Sequence, residues 1–202
     1  MNRSPATTVV ATTLGLLILG GAATAQKLDI KSNVDREADF SVIRTFALLP
    51  PGPMLTDVAP DAPTNPTLSQ EALAPAIEAA IERELTARGL VKAAPETADV
   101  HVVYTMALMA GVSQSYLGEH YGYITGWGSP VPSALAPTTS LEMYQKGTIV
   151  VDVVNAPRKR AIWRGTVVTK VEALRDLEDR IKRIDDAMAR VFERFPIKKK
   201  KR

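Results

Sequence analysis

Seven large apolar side chains near the end of the chain, Leu174, Leu177, Ile181, Ile184, Met188, Val191 and Phe195, recur at alternating spacings of three and four residues with charges between them. That spacing places them on one stripe of an α-helix. Burying each side chain is worth about 1.5 to 3 kcal/mol, so the stripe needs a partner surface. A second copy could supply it as a coiled coil, but hardly more than about three heptads are present. The reading taken is packing on the chain's own sheet, as a monomer. Homodimerisation through this helix is the alternative.

The sheet that such a helix requires is legible upstream. Residues 28–50 open with alternating polar and apolar character and continue into Phe46-Ala47-Leu48-Leu49, closed by Pro50-Pro51, the pattern of one strand ended by proline. Asp99 to Ala107 is rich in Val and aromatics and reads as a strand. Val100, Val102 and Tyr104 fall on one face, His101 and Val103 on the other. Gly147 to Val154 and Ala161 to Thr169 are two more strands, joined closely enough to form a hairpin. An even register centred near Arg158 sets Asp152 opposite Arg164, where a cross-strand ion pair can form. Asp152 therefore reads as a structural partner rather than a catalytic carboxylate.

Leu73, Ile77, Ile81 and Leu85 recur every fourth residue between Ser69 and Arg88, which predicts a second amphipathic helix ended by Gly89. Pro75 is tolerated only in its first turns, so the regular part is expected from about Ala74. The order strand, helix, strand, strand, strand, helix implies an α+β two-layer sandwich. Its sheet would have about four mainly antiparallel strands, with both helices on one face.

Two stretches break every period. Residues 50–66 hold six prolines along with Gly52, Asp57, Asp61 and Asn65, and read as an exposed loop. Residues 111–140 scatter Gly, Ser and Pro among Tyr116, Tyr121, Tyr123 and Trp127. Aromatics on such a loop can stack on sugars, lipids or partner proteins, or fold back over their own core. The second reading is preferred, and the four rings are kept as a candidate interaction surface.

Residues 1–25 have the form of a cleavable secretory signal. Arg3 and the chain amine lead an apolar stretch from Val9 to Ala22, and Ala23-Thr24-Ala25 offers small residues to the peptidase. The mature chain would start at Gln26 as a single domain over residues 26–196, with no later segment apolar enough to span a membrane. Residues 197–202 form a basic tail, Lys198, Lys199, Lys200, Lys201 and Arg202 following Ile197. The tail reads as a solvated end, or as a site of attraction for anionic lipid or lipopolysaccharide.

Lys and Arg number 25 against 22 Asp and Glu, and the excess lies in that tail. A basic face spread over the body, the usual mark of a nucleic-acid binder, is missing, so nucleic acid is not expected as a partner. With no cysteine, the chain forms no disulfide, thiolate nucleophile or cysteine-ligated zinc, and offers no cysteine for lipid attachment. Only His101 and His120 could supply imidazole, and with Glu119 they could be imagined as a metal site, but their spacing fits no recurrent ligand pattern. There is no G-x-S-x-G elbow and no phosphate-cradling loop, so no catalytic, metal or cofactor residue is assigned.

The run Tyr144-Gln145-Lys146-Gly147-Thr148-Ile149-Val150-Val151-Asp152-Val153-Val154-Asn155-Ala156, followed by Ala161-Ile162-Trp163-Arg164-Gly165, resembles the family catalogued as domain of unknown function 4136. Ala38-Asp39-Phe40-Ser41 with Arg44-Thr45-Phe46-Ala47 resembles that family's opening strand, and Ala98-Asp99-Val100 the start of its second. The resemblance implies a bacterial envelope protein, often a lipoprotein, with no known catalytic residue set. Without a lipobox cysteine, the expectation here is a free periplasmic protein. It would act without catalysis, as an envelope-associated binding or assembly accessory whose partners are envelope proteins or anionic lipid. The alternative is a small-ligand enzyme or hydrolase using the 111–140 loop near His101.

Overall fold

The hairpin is the centre of the sheet. In a computed structural model describing residues 28–56, 66–108, 124–125, 146–170 and 176–200, strands β7 (Lys146–Asn155) and β8 (Arg160–Lys170) pair antiparallel along their whole length, with a bulge at Val153/Val154. The Asn155 side chain accepts the Arg158 N–H at 3.0 Å, and Lys159 takes a left-handed φ of 47° to close the turn.

Around this pair lie β1 (Asp29–Val34), β2 (Thr45–Leu48), β4 (Val91–Lys92) and β5 (Val100–Leu108), in the order β1-β8-β7-β5-β2-β4. Two short strands lie off this path: β3 (Leu55–Thr56) pairs with the end of β5, and β6 (Ile124–Thr125) with the start of β8. From β1 through β8 and β7 to β5 each strand is antiparallel to its neighbour, whereas β2 is parallel to both β5 and β4.

The expected four-stranded, mainly antiparallel sheet is therefore corrected to a mixed sheet with six strands along its main path and two short ones beside it, although the α+β character and the two helices stand. Two causes are physical. The stretch read as one strand over 28–50 is two, β1 and β2, which end up three strands apart in the sheet. Between them Asp35 accepts the Glu37 N–H at 3.0 Å, and Asp39 caps a short 3-10 turn over Phe40–Val42 by accepting the Ser41 N–H at 2.8 Å. This break uses aspartates rather than Gly or Pro, so composition gave no boundary. The other strands missed are two residues long, too short to show a period of two.

Helix α1 (Gln70–Thr86) begins earlier than expected. The Ser69 hydroxyl accepts the Ala72 N–H at 3.2 Å, and Pro75 sits within the helix without ending it. Gly89, at φ 86°, terminates the segment as predicted. Helix α2 (Leu177–Phe192) is capped by Asp176, which accepts the Asp179 N–H at 2.8 Å.

Both helices pack on the same face of the sheet. Ile77, Ile81 and Leu85 of α1 and Ile184, Met188, Val191 and Phe192 of α2 join Phe46, Val102, Tyr104, Val153 and Trp163 in one core cluster. Trp163 packs 5.3 Å from Phe192 in a tilted arrangement and 5.1 Å from Phe195 edge to face, centroid to centroid. The last helix thus covers its stripe with the chain's own sheet. The stripe is nonetheless displaced at its start: Leu177 and Ile181 are each 36% exposed, while Arg180 is 4% exposed. The Arg180 Nε–H donates to the Thr67 hydroxyl at 2.9 Å, so the approach to α1 buries the arginine's side of the helix there.

Candidate functional site

The opposite face of the sheet carries the buried charges of the hairpin. Arg164 donates from Nε and Nη2 to the two carboxylate oxygens of Asp152 at 2.6 and 2.9 Å, with 5% and 1% of the side chains exposed. Val103, Thr105, Val150 and Thr166 around this pair are all 5% exposed or less. Such a bidentate pair is a geometric lock on strand register rather than a reactive carboxylate.

A second buried charge cluster joins the C-terminal ends of the helices. The Arg88 guanidinium donates to the Glu84 carbonyl and carboxylate, both at 2.7 Å, and to the Phe192 carbonyl at 2.6 Å. Its carbon lies 5.6 Å from the centroid of the Phe192 ring. The start of the basic tail folds onto this cluster. The Lys199 ammonium donates to Glu84 at 3.1 Å, the Lys200 N–H to the Ala87 carbonyl at 3.1 Å, and the Lys198 ammonium to the Glu193 carbonyl at 3.3 Å. These lysines are docked on the domain and not simply solvated. Lys201 and Arg202 lie outside the described residues.

His101 sits on the face away from the helices, with its Nε2 2.8 Å from the Pro95 carbonyl oxygen. Glu119 and His120 lie outside the described residues, as do Tyr116, Tyr121, Tyr123 and Trp127. Among the described residues no three His, Cys, Asp or Glu side chains are grouped as metal ligands, and no helix is long and apolar enough to cross a membrane.

An apolar concavity lies at the other end of the helices. The contacts Thr67–Arg180, Arg83–Asp185 and Arg88–Phe192 advance together along the two helices, so α1 and α2 run parallel and start at the same end of the sheet. There β5 ends, β7 begins, and a half-open pocket of about 80 Å³ lies between sheet and helices, within about 620 Å³ of space shared with solvent. Its walls are apolar: Leu68, Leu73, Met106, Ile149, Val167 and Ile184 are among them. Arg180 and Arg183 also line it, and no Asp or Glu does so among the described residues. Burial pushes the Arg180 guanidinium below its usual pKa, with nearby Asp176 opposing the shift. An arginine remains charged under such a shift, and with Nε donating to Thr67 the side chain lines the pocket chiefly through its aliphatic stem.

Sequence reasoning missed this pocket. Arg180 and Arg183 read there as outward charges flanking an apolar stripe, and the parallel course of the helices depends on a crossover that spacing does not reveal. The nearest signal was Leu68 and Leu73, apolar residues at the start of the first helix.

A mixed sheet covered by two parallel helices thus leaves an apolar pocket at their common start. The chain belongs to the family described as Domain of unknown function (DUF4136), whose model matches residues 30–197.

Among solved structures, it is similar to a DUF4136 family protein from Bacteroides thetaiotaomicron, with 20% identity, 84% of this chain and 96% of that one covered, and a TM-score of 0.49. It is also similar to the PelC dodecamer from Paraburkholderia phytofirmans, at 11% identity, 87% and 100% coverage and a TM-score of 0.44. A PDZ domain protein from Parabacteroides distasonis shows 14% identity over 88% of this chain and 38% of that one, with a TM-score of 0.48. A search of curated protein sequences found no significant match.

Proposed function

We propose that the protein is a non-enzymatic binding or assembly accessory of the bacterial cell envelope, exported to the periplasm, that takes its ligand into the pocket at the start of the two helices. The pocket is the observation that carries this reading: an apolar concavity between sheet and helices is the kind of feature that takes up a small apolar molecule. The signal-like residues 1–25 support export. The basic tail supports a position near anionic lipid or envelope proteins. Lys198 and Lys199 each remain near the surface while tethered to α1 and α2, so they present charge from a fixed place.

Binding is tested with the neutral dye N-phenyl-1-naphthylamine added to the chain from Gln26 onward. Fluorescence enhancement that saturates, and that Leu73→Trp abolishes by filling the half-buried wall, is the expected result. A dye that stays dark with the wild-type chain would remove the binding reading. Fractionation of the native host, with mass spectrometry of the N-terminus, tests the address: a chain starting at Gln26 in the periplasm is expected, and one retained in the cytoplasm would overturn it.

A further inference from the structure

We infer that the cleft where the basic tail meets the C-terminal ends of the two helices binds a phosphate-bearing anion, held by Arg44 and Lys200 with the buried Arg88 in the wall. The cleft lies at the opposite end of the helices from the apolar pocket, and the inference does not rest on that pocket.

Segments distant in sequence build it. The half-open cleft, about 540 Å³, lies between the turn before β2, the end of α1 and the start of the tail. Phe40, Ile43 and Ile197 supply apolar wall, Arg44, Arg88 and Lys200 supply charge, and no Asp or Glu lines it among the described residues. Arg44 donates from Nη1 to the Ser41 and Ile43 carbonyls at 2.5 and 2.9 Å, which fixes its guanidinium. Its Nε and Nη2 are the same side-on pair of donors with which Arg164 grips Asp152. In Arg44 they have no hydrogen-bond partner among the described residues. Such a fork matches two oxygens of an oxyanion.

Lys200 is held in place. Its N–H donates to the Ala87 carbonyl at 3.1 Å, and its stem lies across Gly89, whose missing Cβ and φ of 86° make room for it. Its ammonium has no partner among the described residues. Helix C-termini attract cations and repel anions, and both helices end here. Their carbonyls are already covered, Phe192 by Arg88, Glu193 by Lys198 and Ala87 by the Lys200 N–H. The neighbouring carboxylates lie outside the lining and are engaged. Glu84 binds Arg88 and Lys199, Asp39 the Ser41 N–H and hydroxyl, and Asp99 the N–H groups of Arg44 and Thr45. What stays unused in the cleft is donor capacity on cations, which selects an anion. A phosphate has enough oxygens to meet the fork and the ammonium together, whereas a carboxylate is used up by the fork.

The test is an NMR titration of the isotope-labelled chain from Gln26 onward with inorganic phosphate at constant ionic strength, following the Gly89, Leu90 and Lys200 amides. Saturating shifts are expected, with acetate weaker. Arg44→Gln should weaken phosphate at least about tenfold, and Lys200→Met, which keeps the stem over Gly89, at least about threefold. Lys182→Met removes a charge from an exposed pair with Glu178 on α2 and should leave the affinity unchanged. Shifts that never saturate would overturn the site. So would an equal loss in Lys182→Met and Lys200→Met, because net charge alone would then account for the binding. The Lys200→Met comparison does not depend on Arg44→Gln folding.

Co-sedimentation with vesicles of phosphatidylglycerol or of phosphatidylcholine separates a lipid headgroup from a soluble phosphate compound. Capture by phosphatidylglycerol alone, lost in Lys200→Met and Arg44→Gln, would support a headgroup as the source. Saturable phosphate binding without vesicle capture would support a soluble phosphate ester. Vesicle capture that survives both substitutions, with no saturable binding of phosphate, would mean that diffuse charge on the tail meets the membrane, and would overturn the inference.

Discussion

Asp152 and Arg164 lie directly opposite each other on the two central strands and close a two-bond ion pair of 2.6 and 2.9 Å on a face where neither is more than 5% exposed. A slip of one residue between the strands would put the two charges on opposite faces, one of them on the face that carries Trp163 and the helices, so the pair opposes every odd register.

Removing one member leaves a buried charge. Arg164→Met is expected to destabilise the fold by about 3 to 5 kcal/mol in urea denaturation, and Asp152→Val similarly. The double variant should recover most of the loss, because the desolvation penalty of both charges disappears together. A double variant as unstable as the sum of the two singles would show that the pair is not coupled.

Gly165 separates the hairpin from α2. A Cβ there would strike the Trp163 ring and come within 2.5 Å of a Val191 methyl. Gly165→Ala should therefore cost about 1 to 3 kcal/mol through overpacking, measured by thermal or urea unfolding. The Trp-Arg-Gly run has a physical meaning in these terms: the ring fills the core, the guanidinium holds the register, and the glycine admits the helix. An unchanged midpoint in Gly165→Ala would refute the close approach.

Asp99 joins β2 to β5 through its carboxylate, which accepts the N–H groups of Arg44 and Thr45, both at 2.8 Å, and the Thr45 hydroxyl at 3.0 Å. The backbone hydrogen bonds from Arg44 and Thr45 hold its pKa below the usual carboxylate value, against the opposing effect of burial. A folded pKa below the unfolded one stabilises the protein above the unfolded value of about 3.9 and loses that contribution as pH falls toward the folded value. Asp99→Asn should be less stable than wild type at neutral pH, and the gap should narrow as pH drops below about 4. Urea midpoints at several pH values measure this, and a gap that is constant with pH would contradict it.

Glu84 serves two cations of different standing. Arg88 reaches it at 2.7 Å with 3% of its side chain exposed, whereas Lys199 reaches it at 3.1 Å and is 51% exposed. Glu84→Ala should cost about 3 to 5 kcal/mol by stranding Arg88, whereas Lys199→Ala should cost at most about 1 kcal/mol. Equal losses would mean that the tail is as integral to the domain as the α1–α2 clasp.

Wherever burial follows a short period, the chain itself specified its structure. The hairpin, its Asp152–Arg164 register, the faces of Val100, Val102 and Tyr104, and the apolar lines of both helices all repeat at two or at three to four residues, so neighbours in sequence report them. The DUF4136 resemblance was also carried by contiguous residues of that hairpin. Tertiary structure alone decided what depends on distant segments. It separated β1 from β2, ran β2 parallel to β5, and recruited strands of two residues by pairing with longer ones. It also set α1 and α2 side by side in the same direction. That last choice turned Arg180 and Arg183 from apparent surface charges into the wall of an apolar pocket, because the burial of a helical side chain is fixed by what packs beside it.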